Sequence, residues 1–253
     1  SCAYDSVLSI LHAIWVSDKV RWGVIFSDMN SDLMGPLLNN FNAAAGGHMS
    51  LNSCRDNLRR KLQYISPNSF AWGQFTAISI LLQYLLSTPS QTIETSLHCQ
   101  NEHVIQDENP PNNTYCMISA GTTVPASIQL WLTSFREATY HQCSSCHSNL
   151  YRQLKLSYAL PIVALEFAGH KLDIDAVLNV SILGGDTTYK LRGIIYFGDS
   201  HFTSRIINDN GMTWFHDGIA TGDSVAYDGM LDKLANRSLC RGKQASAAIY
   251  VKI

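Results

Sequence analysis

The hydrophobic rhythm of the chain changes twice. In the first third, apolar residues recur at helical spacing. Val7, Leu8, Leu11, Ile14 and Trp15 share one face of a helix that opens near Cys2. A second predicted helix carries Leu58, Leu62 and Ile65, with Ser53 as its N-cap. A third, mostly buried, runs from Phe75 to Leu86 and is closed by Ser87-Thr88-Pro89. From about Gln91 to Asn149 the rhythm fades into polar sequence that includes Pro110-Pro111. In the last third it returns as short apolar runs. Strands are predicted at Leu160 to Phe167, Tyr189 to Phe197, Phe202 to Ile207, Met212 to Phe215 and Ala247 to Lys252. Gly184-Gly185, Asn208-Asp209-Asn210-Gly211 and Asp217-Gly218 mark turns between them. Their close spacing predicts an antiparallel sheet, and with the helices an α+β fold. No internal repeat is visible.

Composition narrows the class. A chain of 253 residues and 28.1 kDa, 46% hydrophobic and 15% charged, can bury the core of one large domain or two small ones. A net charge of -2 and a pI near 6.5 leave no basic footprint, which argues against a zinc-stapled nucleic-acid-binding module. The longest apolar stretch, Phe70 to Leu86, is broken by Gln74, Thr76, Ser79 and Gln83 and reads as a core helix, not a membrane span. Seven cysteines, an odd number over a long chain, make a poor disulfide framework. This favours a reducing intracellular compartment, cytoplasm or nucleus. The triplets at Asn112, Asn179 and Asn236 fit the glycosylation pattern, but no signal peptide supports secretion. The sequence opens at Ser1 without Met, and the expectation is a fragment of something longer.

Cys2 stands at the mouth of the first helix, where the positive end of the helix dipole favours a thiolate. His201 follows the Gly198-Asp199-Ser200 turn, a position from which a loop tip can deliver a side chain to a cleft. Asp217 closes Trp214-Phe215-His216-Asp217. The order Cys, His, Asp suggests a cysteine hydrolase. The imidazole would take the thiol proton and later protonate the leaving amine, while the carboxylate fixes its tautomer. Asp199 competes with Asp217 for the orienting role, and Asp217 before Gly218 also reads as a plain turn residue. His216 competes for some role in the site, and Trp214 reads as a core aromatic.

The polar middle segment holds four of the cysteines: Cys99, Cys116, Cys143 and Cys146. Cys143-x2-Cys146 is half of a zinc site, and Cys99-x3-His103 has ligand-like spacing for the other half. Four protein ligands leave no open position, so this zinc would be structural, a staple for a segment poor in aliphatic residues. His98, Cys116, His141 and His147 are alternatives for the fourth ligand, and a lost site or free thiols is the competing reading.

These residues together resemble a known family. Cys2-x-x-Asp5-Ser6-x-Leu8 is similar to the cysteine box of ubiquitin-specific proteases. Tyr189 to Gly198, then Ser200-His201-Phe202, then Trp214 to Asp217, resembles the family's histidine box, and Leu160-Pro161-Ile162-Val163 its Leu-Pro strand. The matches fall in family order across nearly the whole chain. The resemblance implies a papain-like cysteine protease fold with a helical thumb (1–90), zinc-bearing fingers (91–150) and an antiparallel β palm (151–253). It implies hydrolysis of the bond after the C-terminal glycine of ubiquitin, with ubiquitin or a ubiquitin-conjugated protein as partner and no membrane. Cys2 would be the nucleophile, His201 the base and acid, and Asp217 the orienting group.

The chain also departs from the family. Ser200 stands where glycine is usual, which predicts a loop less free to approach substrate. Asp5 stands where asparagine is usual, placing a negative charge near the thiol that disfavours thiolate. The Cys99/His103 half replaces a second Cys-x2-Cys pair. An upstream asparagine, the family's oxyanion donor, would fall before Ser1. The same fold accommodates a catalytically silent ubiquitin-binding scaffold or a protease for a ubiquitin-like modifier. SUMO-type proteases order His and Asp before Cys, so that fold does not fit.

Overall fold

The computed structural model describes residues 2–88, 93–107, 117–119, 126–134, 137–167, 170–182 and 184–253. Ser1, Pro89, Pro110-Pro111, the triplet at Asn112 and Cys116 lie outside the described residues. The first segment folds as five helices where periodicity predicts three: α1 (Cys2–Ser17), α2 (Lys19–Met29), α3 (Met34–Ala45), α4 (Leu51–Ile65) and α5 (Ile78–Leu85). In α2 the buried Trp22, Phe26 and Met29 line one face, but exposed Val20 and Val24 blur the stripe. Asp18 caps α2 by accepting the Arg21 amide at 3.0 Å. The cap of α4 is Ser50, not Ser53: the Ser50 hydroxyl oxygen accepts the Ser53 amide at 3.1 Å, which puts Ser53 inside the first turn. The third expected helix begins at Ile78 rather than Phe75, and the Phe75 side chain is exposed.

Beyond α5 come β1 (Ile93–His98), β2 (Val104–Gln106), β3 (Met117–Ser119), α6 (Ile128–Ser134), β4 (Glu137–Gln142), β5 (Asn149–Leu156) and β6 (Ile162–Glu166). They are followed by β7 (Val177–Ile182), β8 (Gly185–Gly198), β9 (His201–Ile207), β10 (Met212–His216), β11 (Ala226–Met230), β12 (Leu239–Cys240) and β13 (Lys243–Lys252). All expected strands form. The long strand β8 organises the palm: β7 and then β9 pair with one edge, and β13 with the other. The sheet continues from β9 through β10 to β11, and from β13 to β6. Pairing is antiparallel except between β3 and β6 and between β5 and β7. That last contact, Leu156 opposite Ile182, joins the palm to a ribbon of β5, β1 and β2 that forms the fingers.

The main core lies between this sheet and the helices. Val7, Ile10, Leu11, Ile14 and Trp15 of α1 are fully or almost fully buried against it. Each such side chain contributes on the order of 1.5–3 kcal/mol through burial. Ile10 settles directly on Gly193 of β8, where an added Cβ would lie 2.5 Å from the Ile10 Cδ1. A glycine in mid-strand thus lets α1 approach the sheet closely. The fingers have a small core of their own: Leu97, Cys99, Cys143 and Leu150, flanked by Ile105 and Cys146. Among the described residues, no helix is long and apolar enough to cross a membrane.

Candidate active site and metal centre

His201 is the first residue of β9, reached through a two-residue hairpin from Gly198. Asp199 and Ser200 form its tip, with φ of 51° and 56°. Two consecutive positive φ values make a tight hairpin turn whose twist suits the strands, usually at glycine or asparagine. Ser200 is therefore confined to the left-handed region that the family's glycine reaches freely. Lys243 of β13 holds this turn, its Nζ donating to the Gly198 carbonyl at 2.8 Å. The Asp199 carboxylate is almost wholly exposed and lies 3.8 Å from Lys243 Nζ.

The carboxylate that pairs with His201 is that of Asp217. His201 Nε2 donates to Asp217 Oδ1 at 2.8 Å, with both side chains largely buried. A carboxylate can only accept, so in the neutral ring Nε2 carries the hydrogen and Nδ1 the lone pair. The same Oδ1 accepts the Ile219 amide at 2.9 Å and the Ala220 amide at 3.3 Å. Thr221 locks the loop, its hydroxyl accepting from the Asp217 amide at 3.0 Å and donating to the Asp217 carbonyl at 2.9 Å. Asp217 is thus a turn residue and a histidine partner at once. Burial pushes its carboxyl up, but the His201 hydrogen bond and the two amides outweigh burial and hold it below the usual range.

Cys2 is the first residue of α1 and is half-buried. Register brings it to the same end of the molecule as His201. Ser9 Oγ on α1 lies 3.1 Å from Ser204 Oγ on β9. His216 stands opposite Ser204 in the β9–β10 ladder, which sets Gly218 near the level of Phe202. Asp5 Oδ2 lies 2.8 Å from where a Gly218 Cβ would be. Passing from Ser9 to Asp5 climbs about 6 Å of helix, and from Ser204 to Phe202 about 6.6 Å of strand. α1 and β9 therefore run side by side in the same direction, and the next steps reach Cys2 on one and His201 on the other.

Two other side chains differ from expectation. Asp5 does not leave a bare charge near the thiol: Arg55 of α4 donates to its Oδ1 at 3.1 Å. Trp214 is only half-buried. Strand alternation buries Thr213 and Phe215 on one face and turns Trp214 and His216 toward α1. There they line a cavity of about 470 Å³ that runs from Asp5 and Gly218 to Ser17 and Asn208. His216 is buried, and its Nε2 donates to the Gly222 carbonyl at 3.1 Å. Arg55, Thr221 and Lys243, which hold the site's parts in place, carry no local sequence signal.

The metal-ligand spacing is realised at the tips of two hairpins. Cys99 and His103 flank the β1–β2 turn, and Cys143 and Cys146 the β4–β5 turn. Each turn bends through a residue of positive φ, Glu102 in one and His147 in the other. The ligand atoms of Cys99, His103, Cys143 and Cys146 all lie within 4.8 Å of one another and could hold a metal ion. Cys143 Sγ is 3.4 Å from His103 Nδ1, and Cys146 Sγ is 3.6 Å from Cys99 Sγ. The Ser148 hydroxyl and amide draw the Cys146 thiol down to about 5, while burial pushes Cys143 up. Of the alternative ligands, His98 bonds Ser96 and stacks on Tyr151, and His141 and His147 are exposed outside the cluster.

No family model matches the sequence, and no curated protein matches it. Solved structures do. The SAGA Ubp8/Sgf11/Sus1/Sgf73 DUB module bound to ubiquitin aldehyde aligns with a TM-score of 0.59 and 14% identity, over 100% of this chain and 67% of that one. The same module bound to monoubiquitin aligns at 0.56 and 14%, over 100% and 65%. The PAN2 pseudoubiquitin-hydrolase of Saccharomyces cerevisiae aligns at 0.58 and 10%, over 98% and 83%. The chain spans about two thirds of the Ubp8 chains it resembles. At such identities the likeness speaks for the architecture: thumb helices, finger ribbon and antiparallel palm form the ubiquitin-specific protease fold.

Proposed function

We propose that the chain is a thiol-dependent hydrolase that cuts the bond after the C-terminal glycine of ubiquitin. The observation that carries this reading is the His201–Asp217 pair, 2.8 Å between ring nitrogen and carboxylate, at the start of β9, the strand that runs beside α1. In this mechanism His201 Nδ1 takes the Cys2 proton and the thiolate attacks the isopeptide carbonyl. The imidazolium, steadied by Asp217, then protonates the leaving lysine amine. Water assisted by the same imidazole hydrolyses the thioester. Backbone amides at the start of α1 would stabilise the oxyanion. A free thiol nucleophile suits a reducing, intracellular setting.

Zinc is the metal that fits the fingers. A tetrahedral site with zinc–sulfur bonds near 2.3 Å and zinc–nitrogen bonds near 2.0–2.1 Å puts sulfurs about 3.8 Å apart and sulfur from nitrogen about 3.6 Å. The observed separations of 3.6 and 3.4 Å match that size. Bound there, zinc would tie the two finger hairpins together and take no part in the chemistry.

The likeness to a pseudoubiquitin-hydrolase favours a second reading, a silent ubiquitin-binding scaffold. The His201–Asp217 pair and a half-buried Cys2 at the start of α1 support the hydrolase. Turnover of a ubiquitin-linked fluorogenic amide decides between them. The hydrolase reading expects activity in the native chain and its loss in His201→Ala, and a native chain that binds ubiquitin without turnover supports the scaffold.

A further inference from the structure

Asp5 sits one helical turn after Cys2, on the same side of α1. A carboxylate there suits the helix dipole but opposes formation of a thiolate beside it. Its side chain is only 13% exposed, so water does little to screen it. On one side it meets Arg55 at 3.1 Å, and on the other its Oδ2 presses on Gly218, leaving no room for a Cβ. Arg55 is itself fixed from three directions. Its Nε donates to Asp56 at 2.9 Å, its Nη1 donates to Asn52 Oδ1 at 2.8 Å, and Asp5 holds the same Nη1. Asn52 in turn donates to Asp223, in the loop that follows Asp217, at 2.6 Å. Other ionisable groups in this region include His12 on α1, Asp56 and Arg59 on α4, His216 on β10, Asp217 and Asp223 after β10, and His201 bonded to Asp217. Arg59 lies over the Tyr4 and Trp72 rings.

We propose that Arg55 is a positioning residue for the nucleophile: it neutralises Asp5 beside Cys2 and wedges that carboxylate against Gly218, next to Asp217. The proposal rests on Cys2 being the nucleophile. It assigns the acid at position 5 and the arginine at position 55 to one device, in which Arg55 is required because residue 5 is charged.

A double-mutant cycle tests this with a readout that needs no modifier. Cys2 alkylation by iodoacetamide, an uncharged reagent, is followed by mass spectrometry of the Cys2 peptide over a pH range of about 5 to 10. Arg55→Met is expected to slow alkylation near neutral pH by about three- to fivefold and move the profile to the alkaline side. Asp5→Asn in the same chain should restore the native profile, and Arg55→Lys should retain most of it. A double variant as slow as Arg55→Met, or an Arg55→Met profile unchanged from the native one, overturns the proposal. Thermal melting of every variant identifies loss of fold. If Arg55→Met fails to fold, Asp5→Asn alone carries the test: it should alkylate at least as fast as the native chain, and slower alkylation contradicts the assignment. Failure of the native chain to react with a ubiquitin C-terminal electrophile would defeat the hydrolase reading and leave the alkylation result standing.

Discussion

Asp217 illustrates how one side chain meets two demands. Its Oδ1 closes a turn with the Ile219 and Ala220 amides and accepts from His201. A carboxyl held below its unfolded value adds stability that is fully present above about pH 4 and lost as pH falls through the folded value. Asp217→Asn should therefore flatten the acid limb of the stability curve below about pH 4, read by circular dichroism. Asp217→Ala should lower turnover of a ubiquitin amide by about 10²- to 10⁴-fold with little change in KM, because the imidazole loses its orienting group. Gly218 belongs to the same logic. No positive φ demands glycine there; the approach of Asp5 does. In the sequence, the pairing of His201 with Asp217 was legible because each stands at an element boundary with a characteristic neighbour. Arg55 was not, since its partner is fifty residues away in sequence, |i−j| = 50, and only folding brings them together.

At the scale of elements, α1 and β8 form the joint on which the site depends. Gly193→Ala should drive a Cβ into Ile10 and cost about 1–3 kcal/mol of stability in denaturant titration. Combining it with Ile10→Val should cost less than the sum of the two, because the two residues share one space. The fingers make a second testable unit, with a core of a few residues that a metal would complete. Freshly purified reduced protein should carry about one equivalent of zinc by metal analysis, and chelation should raise hydrogen exchange in β1, β2, β4 and β5 ahead of the palm. Less than half an equivalent would contradict the zinc assignment. The palm strands β6, β8, β9, β10 and β13 were readable from their apolar runs and the turn residues between them, whereas β7, β11 and β12, which carry few buried apolar positions, were not. Helices α2 and α3 escaped because exposed valines in α2 and an Asn/Ala-rich end in α3 dilute the period. Trp214 was misplaced because hydrophobicity alone cannot say which face of a strand looks into a cavity.

A helical thumb and a branched sheet meet along α1, where Ser9 lies against Ser204 of β9 and Asp5 against Gly218. The geometry of that meeting depends on contacts made across nearly the whole chain. Ser9 with Ser204 spans |i−j| = 195, and Arg21 reaches the Lys252 carbonyl across |i−j| = 231. The central claim is that this meeting makes Cys2 a nucleophile toward the ubiquitin C-terminus. Intact-mass analysis after reaction with a ubiquitin C-terminal electrophile tests it most directly. The account predicts one added ubiquitin, mapped to Cys2 and lost in Cys2→Ala. No adduct in the native chain, or an adduct that persists in Cys2→Ala, would contradict it.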